Sequence, residues 1–438
     1  MDKRVIVVGG GLAGVEAAYQ IAKRDIDVDL YEMRPEVMTE AHVTGFLGEL
    51  VCSNSLGSNE LTSASGLLKE ELKMADSFFL KRAAENRVPA GNSLSVDRLK
   101  LAEAITREIS SFPRIRLIRQ EIGEIPERKG PVIIASGPLT SARLADAIIG
   151  FSMRKNLFFY DATSPLLQAE TIDFSRMFSA SRYGKGTADF FNIPLDEGQY
   201  RSFVDSLVRG ETVELMEFEK NLYFEACLPI EEIGRRGEKS LAFGPLKPVG
   251  LIDPKTGRMP HAVVQLRTDD VKGNFFQLVG FQTRLKWGEQ KKIFRMLPGL
   301  ENAEFERYGR MHRNTYINSP LILNEFFQAK MDNRIFFSGQ ISGVEGYVES
   351  IGSGLFSGIS AALMILDKPP IALPKASAIG ALAQYISSSD WQEFRPTKFS
   401  FGLLPDDNLD MKNKKRKKEL KAEKAMESLA RWIKKVGI

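Results

Sequence analysis

Cysteine and histidine are scarce in this 438-residue chain, with two of the first and three of the second. Cys52 and Cys227 cannot make a disulfide framework, and in a reducing compartment both are expected to be free thiols. His42, His261 and His312 are scattered without ligand spacing, so no metal site is expected. No run of eighteen apolar residues is present to span a bilayer, and an apolar strand starting at residue 5 leaves no room for a signal peptide. A cytoplasmic protein without membrane attachment is the expectation.

What is present is an ordinary globular composition, 43% hydrophobic and 26% charged, at a length that suggests two domains. The net charge of +4 is unevenly spread. Lys412 to Lys435 holds eleven Lys or Arg against three Glu, so this basic arm carries +8 and the remainder −4. On charge alone a solvated terminal helix and an RNA contact are equally good readings of it.

The strongest local signal is Val5-Ile6-Val7-Val8-Gly9-Gly10-Gly11-Leu12-Ala13-Gly14, a buried strand running into a tight glycine turn. Gly9, Gly11 and Gly14 have the spacing in which the first glycine turns the chain, the second admits a pyrophosphate to the backbone, and the third allows close helix packing. Gly10, Leu12 and Ala13 complete the turn, and the following helix, expected over Ala13–Lys23, would present its amino end to the phosphates. Glu32, eighteen residues after Gly14, is placed to accept ribose hydroxyls. Two later strands repeat the pattern, Pro131-Val132-Ile133-Ile134-Ala135-Ser136-Gly137 and Arg334-Ile335-Phe336-Phe337-Ser338-Gly339-Gln340. Ser136, Gly137, Gly339 and Gln340 therefore fall at the same sheet edge, where open α/β sheets bind ligands. This recurrence favours FAD over NAD as the tightly held cofactor. A glycine-spaced helix near Gly346-Tyr347 through Gly354 would place its positive end at a flavin ring.

Between these landmarks Gly48–Asn59 is expected to be an ordered functional loop, and Leu67–Asn86 one helix. Strands are expected at Arg114–Ile118, Asp161–Leu167, Ile172–Tyr183 and Ala262–Leu266, with a helix over Asp196–Arg209 and β structure with turns over Phe243–Leu251. No linker separates the halves, so the second domain is read as inserted.

Several segments together resemble the folate- and FAD-dependent tRNA uracil-5-methyltransferases. They are the opening fingerprint, Gly48-Glu49-Leu50-Val51-Cys52-Ser53-Asn54-Ser55, Glu225-Ala226-Cys227-Leu228-Pro229, Phe243-Gly244-Pro245-Leu246-Lys247-Pro248-Val249-Gly250, Val279-Gly280-Phe281-Gln282-Thr283, His312-Arg313-Asn314-Thr315 and Gly339 through Glu349. Ala242 departs from the pattern, which has an arginine there. The resemblance implies an α/β chain with a Rossmann-like FAD-binding fold of the glutathione-reductase type and an inserted α+β substrate domain. Its parts would be 1–160 and 306–375 for FAD, 161–305 for substrate and RNA, and 376–438 as a helical basic segment. It implies transfer of a methylene from 5,10-methylenetetrahydrofolate to the T-loop uridine of tRNA, with FAD as relay and NADH or NADPH as reductant, and no obligatory protein partner. Carbon 5 of uracil becomes nucleophilic only after a thiolate adds at carbon 6. By resemblance Cys227 is that nucleophile and Cys52 protects or assists the flavin step. From residues alone a free cysteine is more often a small buried hydrophobe. A small-molecule FAD oxidoreductase and a non-catalytic flavin-containing tRNA-binding protein stay open on that ground. Lys286, Trp287, Arg310, Arg313 and Tyr347 are further candidates to hold phosphates or stack on rings.

Overall fold

The computed structural model describes residues 4–127, 129–153, 157–184, 186–213, 228–405 and 413–437, and for 157–161 and Arg313 the backbone alone. Five parallel strands form one sheet in the order Ile335–Phe337, Val132–Ile134, Arg4–Val8, Asp27–Glu32, Ile115–Arg119. Helices cover both faces of such a sheet, which is why its strands read as nearly continuous apolar runs. Val5, Val7, Val28, Leu30 and Val132 to Ile134 are fully buried, and each such side chain contributes on the order of 1.5–3 kcal/mol.

The helix Leu12–Ala22 follows the glycine turn and lies against the long helix Tyr347–Ile365. A Cβ on Gly354 would stand 2.1 Å from the Ala13 carbonyl oxygen, and one on Gly358 would stand 2.8 Å from that of Ala17. The glycine spacing of the long helix thus lets two helices meet backbone to backbone. By length and composition this helix could cross a membrane, but most of it is buried inside the protein. The absence of an eighteen-residue apolar run missed it because Ser350, Ser353 and Ser357 interrupt the sequence while bonding within the core.

The chain leaves and re-enters this unit through an antiparallel ribbon, Leu157–Ala162 paired with Met311–Tyr316. Beyond it, six antiparallel strands run in the order Phe178–Ser179, Phe190–Leu195, Ala262–Thr268, Phe275–Leu278, Leu166–Gln168, Phe305–Arg307. Their apolar face packs with the helices Glu197–Arg209 and Trp287–Phe294 into a second core that includes Phe203, Phe281 and Phe294. Asp196 starts the first of these helices with a capping box to Gln199.

Three expectations need correction. The span Leu67–Asn86 is two helices, Ala64–Met74 and Phe78–Glu85, because Asp76 takes a left-handed φ of 56° and Ser77 caps the second helix at Leu80. Within Gly48–Asn59, Ser55–Ser58 is a strand paired with Ser93–Val96. Only Phe178–Ser179 of Ile172–Tyr183 is strand, since Asp173 turns the chain by accepting the Ser175 amide. Two further expectations change: Asp161–Leu167 divides between two strands at Thr163-Ser164-Pro165, and Phe243–Leu251 is not β, because Phe243 ends the short helix Ser240–Phe243 and turns follow it. The basic arm is the helix Lys414–Val436; Ala425, Leu429 and Trp432 face the protein, with Trp432 against Phe356 and its indole N–H on the Ile371 carbonyl at 3.1 Å.

Candidate active site

At the carboxyl edge of the parallel sheet the three glycine-ended strands open a cleft of about 980 Å³, part of it open to solvent. Gly9, Gly11, Leu12, Ala13, Glu32, Ser136, Gly137, Gly339, Gln340 and Tyr347 line it. Gly9 turns with φ 105°, and a Cβ there would meet the Ala135 carbonyl at 2.4 Å. A Cβ on Gly11 or Gly137 would meet nothing within 4 Å. The helix Leu12–Ala22 has no side-chain cap and no acid in its first turn, so its amino end offers N–H groups and a positive dipole to an anion.

Gly10, Gly14 and Gly346 stand behind the wall. The Gly10 amide donates to Glu32 Oε2 at 2.9 Å. Gly14 rests so close to Gly9 that a Cβ would lie 1.8 Å from its carbonyl oxygen. Gly346 precedes the long helix as its N-cap residue.

Glu32 shares the cleft with Arg34, Glu49 and His42, none of which spacing had singled out. Arg34 lies buried between the two acids, with Nε 2.9 Å from Glu32 Oε1 and Nη1 3.2 Å from Glu49 Oε2. Burial pushes the Glu32 carboxyl up, but hydrogen bonds and charge from Arg34, with the Arg34 and Gly10 amides, hold it below its usual range. His42 is pushed down to about 3 by burial and by Arg34, and stays neutral. Glu49 also accepts the amides of Val43 and Thr44, which fixes the loop that closes this end. The available signal for these residues was an arginine two positions after the strand-end acid.

At the other end Tyr347 joins the cleft to Cys52. The Tyr347 hydroxyl accepts the Cys52 amide at 2.8 Å and the Ser53 amide at 3.1 Å. Burial, then the neighbouring Cys52, push that phenol well above its ordinary value, so it remains protonated. The Cys52 thiol points at the Ala162 carbonyl, 3.8 Å away, and the Cys52 carbonyl accepts Gln277 Nε2 at 2.9 Å. Cys52 therefore sits where the two units meet. Arg98 closes the same junction with Asp269 at 2.7 Å, while Arg267 Nη2 reaches Ser53 Oγ at 2.8 Å. Burial lowers both Arg267 and Arg307 to about 10, and buried Arg267 Nε, Arg307 Nε and Nη2, and Asp269 Oδ1 have no hydrogen-bond partner. Among the described residues the junction thus gathers the guanidinium groups of Arg98, Arg267 and Arg307 around Asp269, with donors unused.

Cys227 lies outside the described residues. Of Arg313 the backbone alone is described, paired with Tyr160. Lys286 pairs with Glu211 at 2.8 Å, and Trp287 and Arg310 lie together on the surface of the second unit. Among the described residues no group of three His, Cys, Asp or Glu could hold a metal ion.

A family model described as "Glucose inhibited division protein A" matches residues 4–369. A protein of Desulforamulus reducens named Methylenetetrahydrofolate--tRNA-(uracil-5-)-methyltransferase TrmFO is 49% identical over 437 residues, covering 100% of this chain and 99% of the relative. A protein of Heliobacterium modesticaldum with the same name is 50% identical over 429 residues, covering 98% of each. Among solved structures, Aquifex aeolicus GidA in its form II crystal aligns with a TM-score of 0.70 at 17% identity, covering 100% of this chain and 74% of that one. That likeness establishes the fold, a Rossmann-type parallel sheet with a second unit set into it.

Proposed function

The chain belongs to the methylenetetrahydrofolate--tRNA-(uracil-5-)-methyltransferases, and on that premise we propose that it methylates the T-loop uridine of tRNA at carbon 5. On this reading 5,10-methylenetetrahydrofolate gives the carbon, NADH or NADPH gives the electrons, and FAD lies in the cleft. The residues present fit that dinucleotide: open backbone at Gly11 and Gly137 and an uncapped helix end suit the pyrophosphate, and ionised Glu32 suits a ribose. Bound there, FAD would supply the redox chemistry and the relay of the one-carbon unit.

The protein's own share is to position and to activate. Cys227 is the nucleophile on this reading: its thiolate adds to carbon 6, and the electron pair displaced onto the ring makes carbon 5 reactive. After carbon 5 has taken the one-carbon unit it loses its proton, and the thiolate leaves carbon 6. Cys52, tied to the cleft through the Tyr347 hydroxyl, protects or assists the carbon relay. The unused N–H donors of Arg267 and Arg307 suit the acceptors of a folate. The protein works in the cytoplasm, without membrane or obligatory protein partner.

One observation carries the reading. Tyr347 is part of the cleft wall, and its hydroxyl holds the backbone on both sides of the Cys52 to Ser53 peptide. The test is to incubate the protein with unmethylated tRNA, methylene-labelled methylenetetrahydrofolate and NADH or NADPH. Label at carbon 5 of one uracil is expected. Rapid nicotinamide oxidation with no label in RNA would overturn the reading.

A further inference from the structure

Outside the cleft, the second unit carries a column of parallel rings that ends at the surface. Trp287 stacks on Tyr308 with centroids 5.4 Å apart and planes 11° apart, and Tyr308 stacks on Phe305 at 4.8 Å and 9°. Phe305 in turn rests 6.4 Å from the buried ring of Phe294, which anchors the column in the second core. The outer member, Trp287, is 52% exposed although it begins the helix Trp287–Phe294. The Arg310 guanidinium lies over its ring at 5.1 Å. Among the described residues no carboxylate pairs with Arg310, whereas its neighbours Arg284 and Lys286 are neutralised by Glu232 and Glu211.

The backbone of Arg310 is tied to the segment that faces Cys52. The Arg310 carbonyl accepts the Thr163 amide at 2.8 Å, and the preceding residue, Ala162, offers the carbonyl that the Cys52 thiol faces. A tryptophan serving packing alone would be covered. A solvent-facing indole with a stacked ring behind it and an exposed guanidinium in front meets the two demands of an unpaired base, a π face and a planar cation.

We propose that Trp287 and Arg310 form a stacking platform for an unpaired nucleobase of the RNA substrate, flanking the base that enters the cleft. The proposal rests on the tRNA reading above and goes beyond it by assigning the surface that grips a second base. Stacking on an aromatic ring is worth about 1–3 kcal/mol per base, or roughly 5–150-fold in affinity.

The experiment uses a T-arm RNA hairpin whose unpaired loop nucleotides, other than the target uridine, are replaced one at a time by abasic residues. Binding is measured for the unaltered protein, Trp287→Ala, Trp287→Phe and Arg310→Ala, with thermal unfolding as the check on folding. At one loop position the abasic change should weaken binding by about tenfold in the unaltered protein. The same change should cost Trp287→Ala nothing, and Trp287→Phe should recover most of the sensitivity. Arg310→Ala, at an exposed side chain, should weaken binding several-fold even if Trp287→Ala does not fold. Equal responses of all four proteins at every position would overturn the platform while leaving the tRNA reading intact. Failure of the unaltered protein to bind the hairpin would overturn both. Loss of folate saturation in place of RNA binding would assign the ring to the pteridine and also overturn the proposal.

Discussion

At the rim of the parallel sheet the phosphate turn is built of main-chain atoms close in sequence, Gly9 to Gly14, and its Gly10 amide holds the Glu32 carboxylate. At the junction around Cys52 the groups come from far along the chain: the Ala162 carbonyl and the Gln277 and Tyr347 side chains lie 110, 225 and 295 residues away. The first region has the shape of its own turn. The second exists only once both cores have formed. Where backbone meets backbone, as at Gly9 and Gly14, no added atom fits, whereas a side-chain-built site tolerates change until a buried charge loses its partner.

The largest effect that would sharpen this contrast is at Gly14. A Val there would bring Cβ against the Gly9 carbonyl, which is backbone and cannot swing aside. Overpacking against fixed backbone should exceed the usual ~1–3 kcal/mol and, focused on the phosphate turn, weaken FAD binding by more than roughly 1,000-fold. Titration of the apoprotein with FAD measures it, and unchanged affinity would mean that the turn does not hold the dinucleotide.

Next in size is the ion pair that closes the junction. Arg98→Ala leaves Asp269 buried without its bonded partner, and breaking such a pair costs about 3–5 kcal/mol. Urea unfolding should report that loss, and Arg98→Ala with Asp269→Ala should recover a large part of it. If the single change costs under about 1 kcal/mol, the buried charges do not hold the two units together.

The smallest effect is a pH slope. Lys69 is buried, donates to the Leu56 and Gly57 carbonyls of the segment after Cys52, and is lowered by burial and by Lys73 to about 7. An unfolded lysine keeps its proton up to about 10.4. Between these values the unfolded chain binds more protons, so the stabilising contribution is full above the unfolded pKa and is lost as pH falls toward 7. Stability should rise from pH 7 to 9 by up to about 1.4 kcal/mol per unit, and Lys69→Met should lack that component. An unchanged slope in the variant would remove Lys69 as its source.

The same contrast explains what the sequence made legible. Strand, glycine turn, helix and acid are local, so the parallel sheet and most of the cleft wall followed from spacing, including Ser136, Gly137, Gly339 and Gln340. Arg34, Glu49 and His42 were not found because no periodicity marks a side chain that meets its partner through a loop. The break between Ala64–Met74 and Phe78–Glu85 was hidden by an apolar face that continues through Ala75 and Phe79 while Asp76 turns the backbone. The junction was legible only as resemblance: Arg98, Arg267 and Arg307 are far apart in sequence, and their convergence is a property of the two-unit arrangement. The glycine-spaced helix was legible too: its amino end at Tyr347 and Ser350 lines the cleft, while Gly354 deeper in it serves helix packing.

The central claim is that Cys52 is held by Tyr347 beside a cleft that binds FAD. Its most direct test is the visible absorption spectrum of Cys227→Ser, in which Cys52 is the remaining thiol, before and after alkylation. The account predicts one FAD per chain and a shift of the flavin bands when Cys52 is alkylated. A colourless protein that FAD does not reconstitute, or a flavin spectrum indifferent to the alkylated thiol, would contradict it.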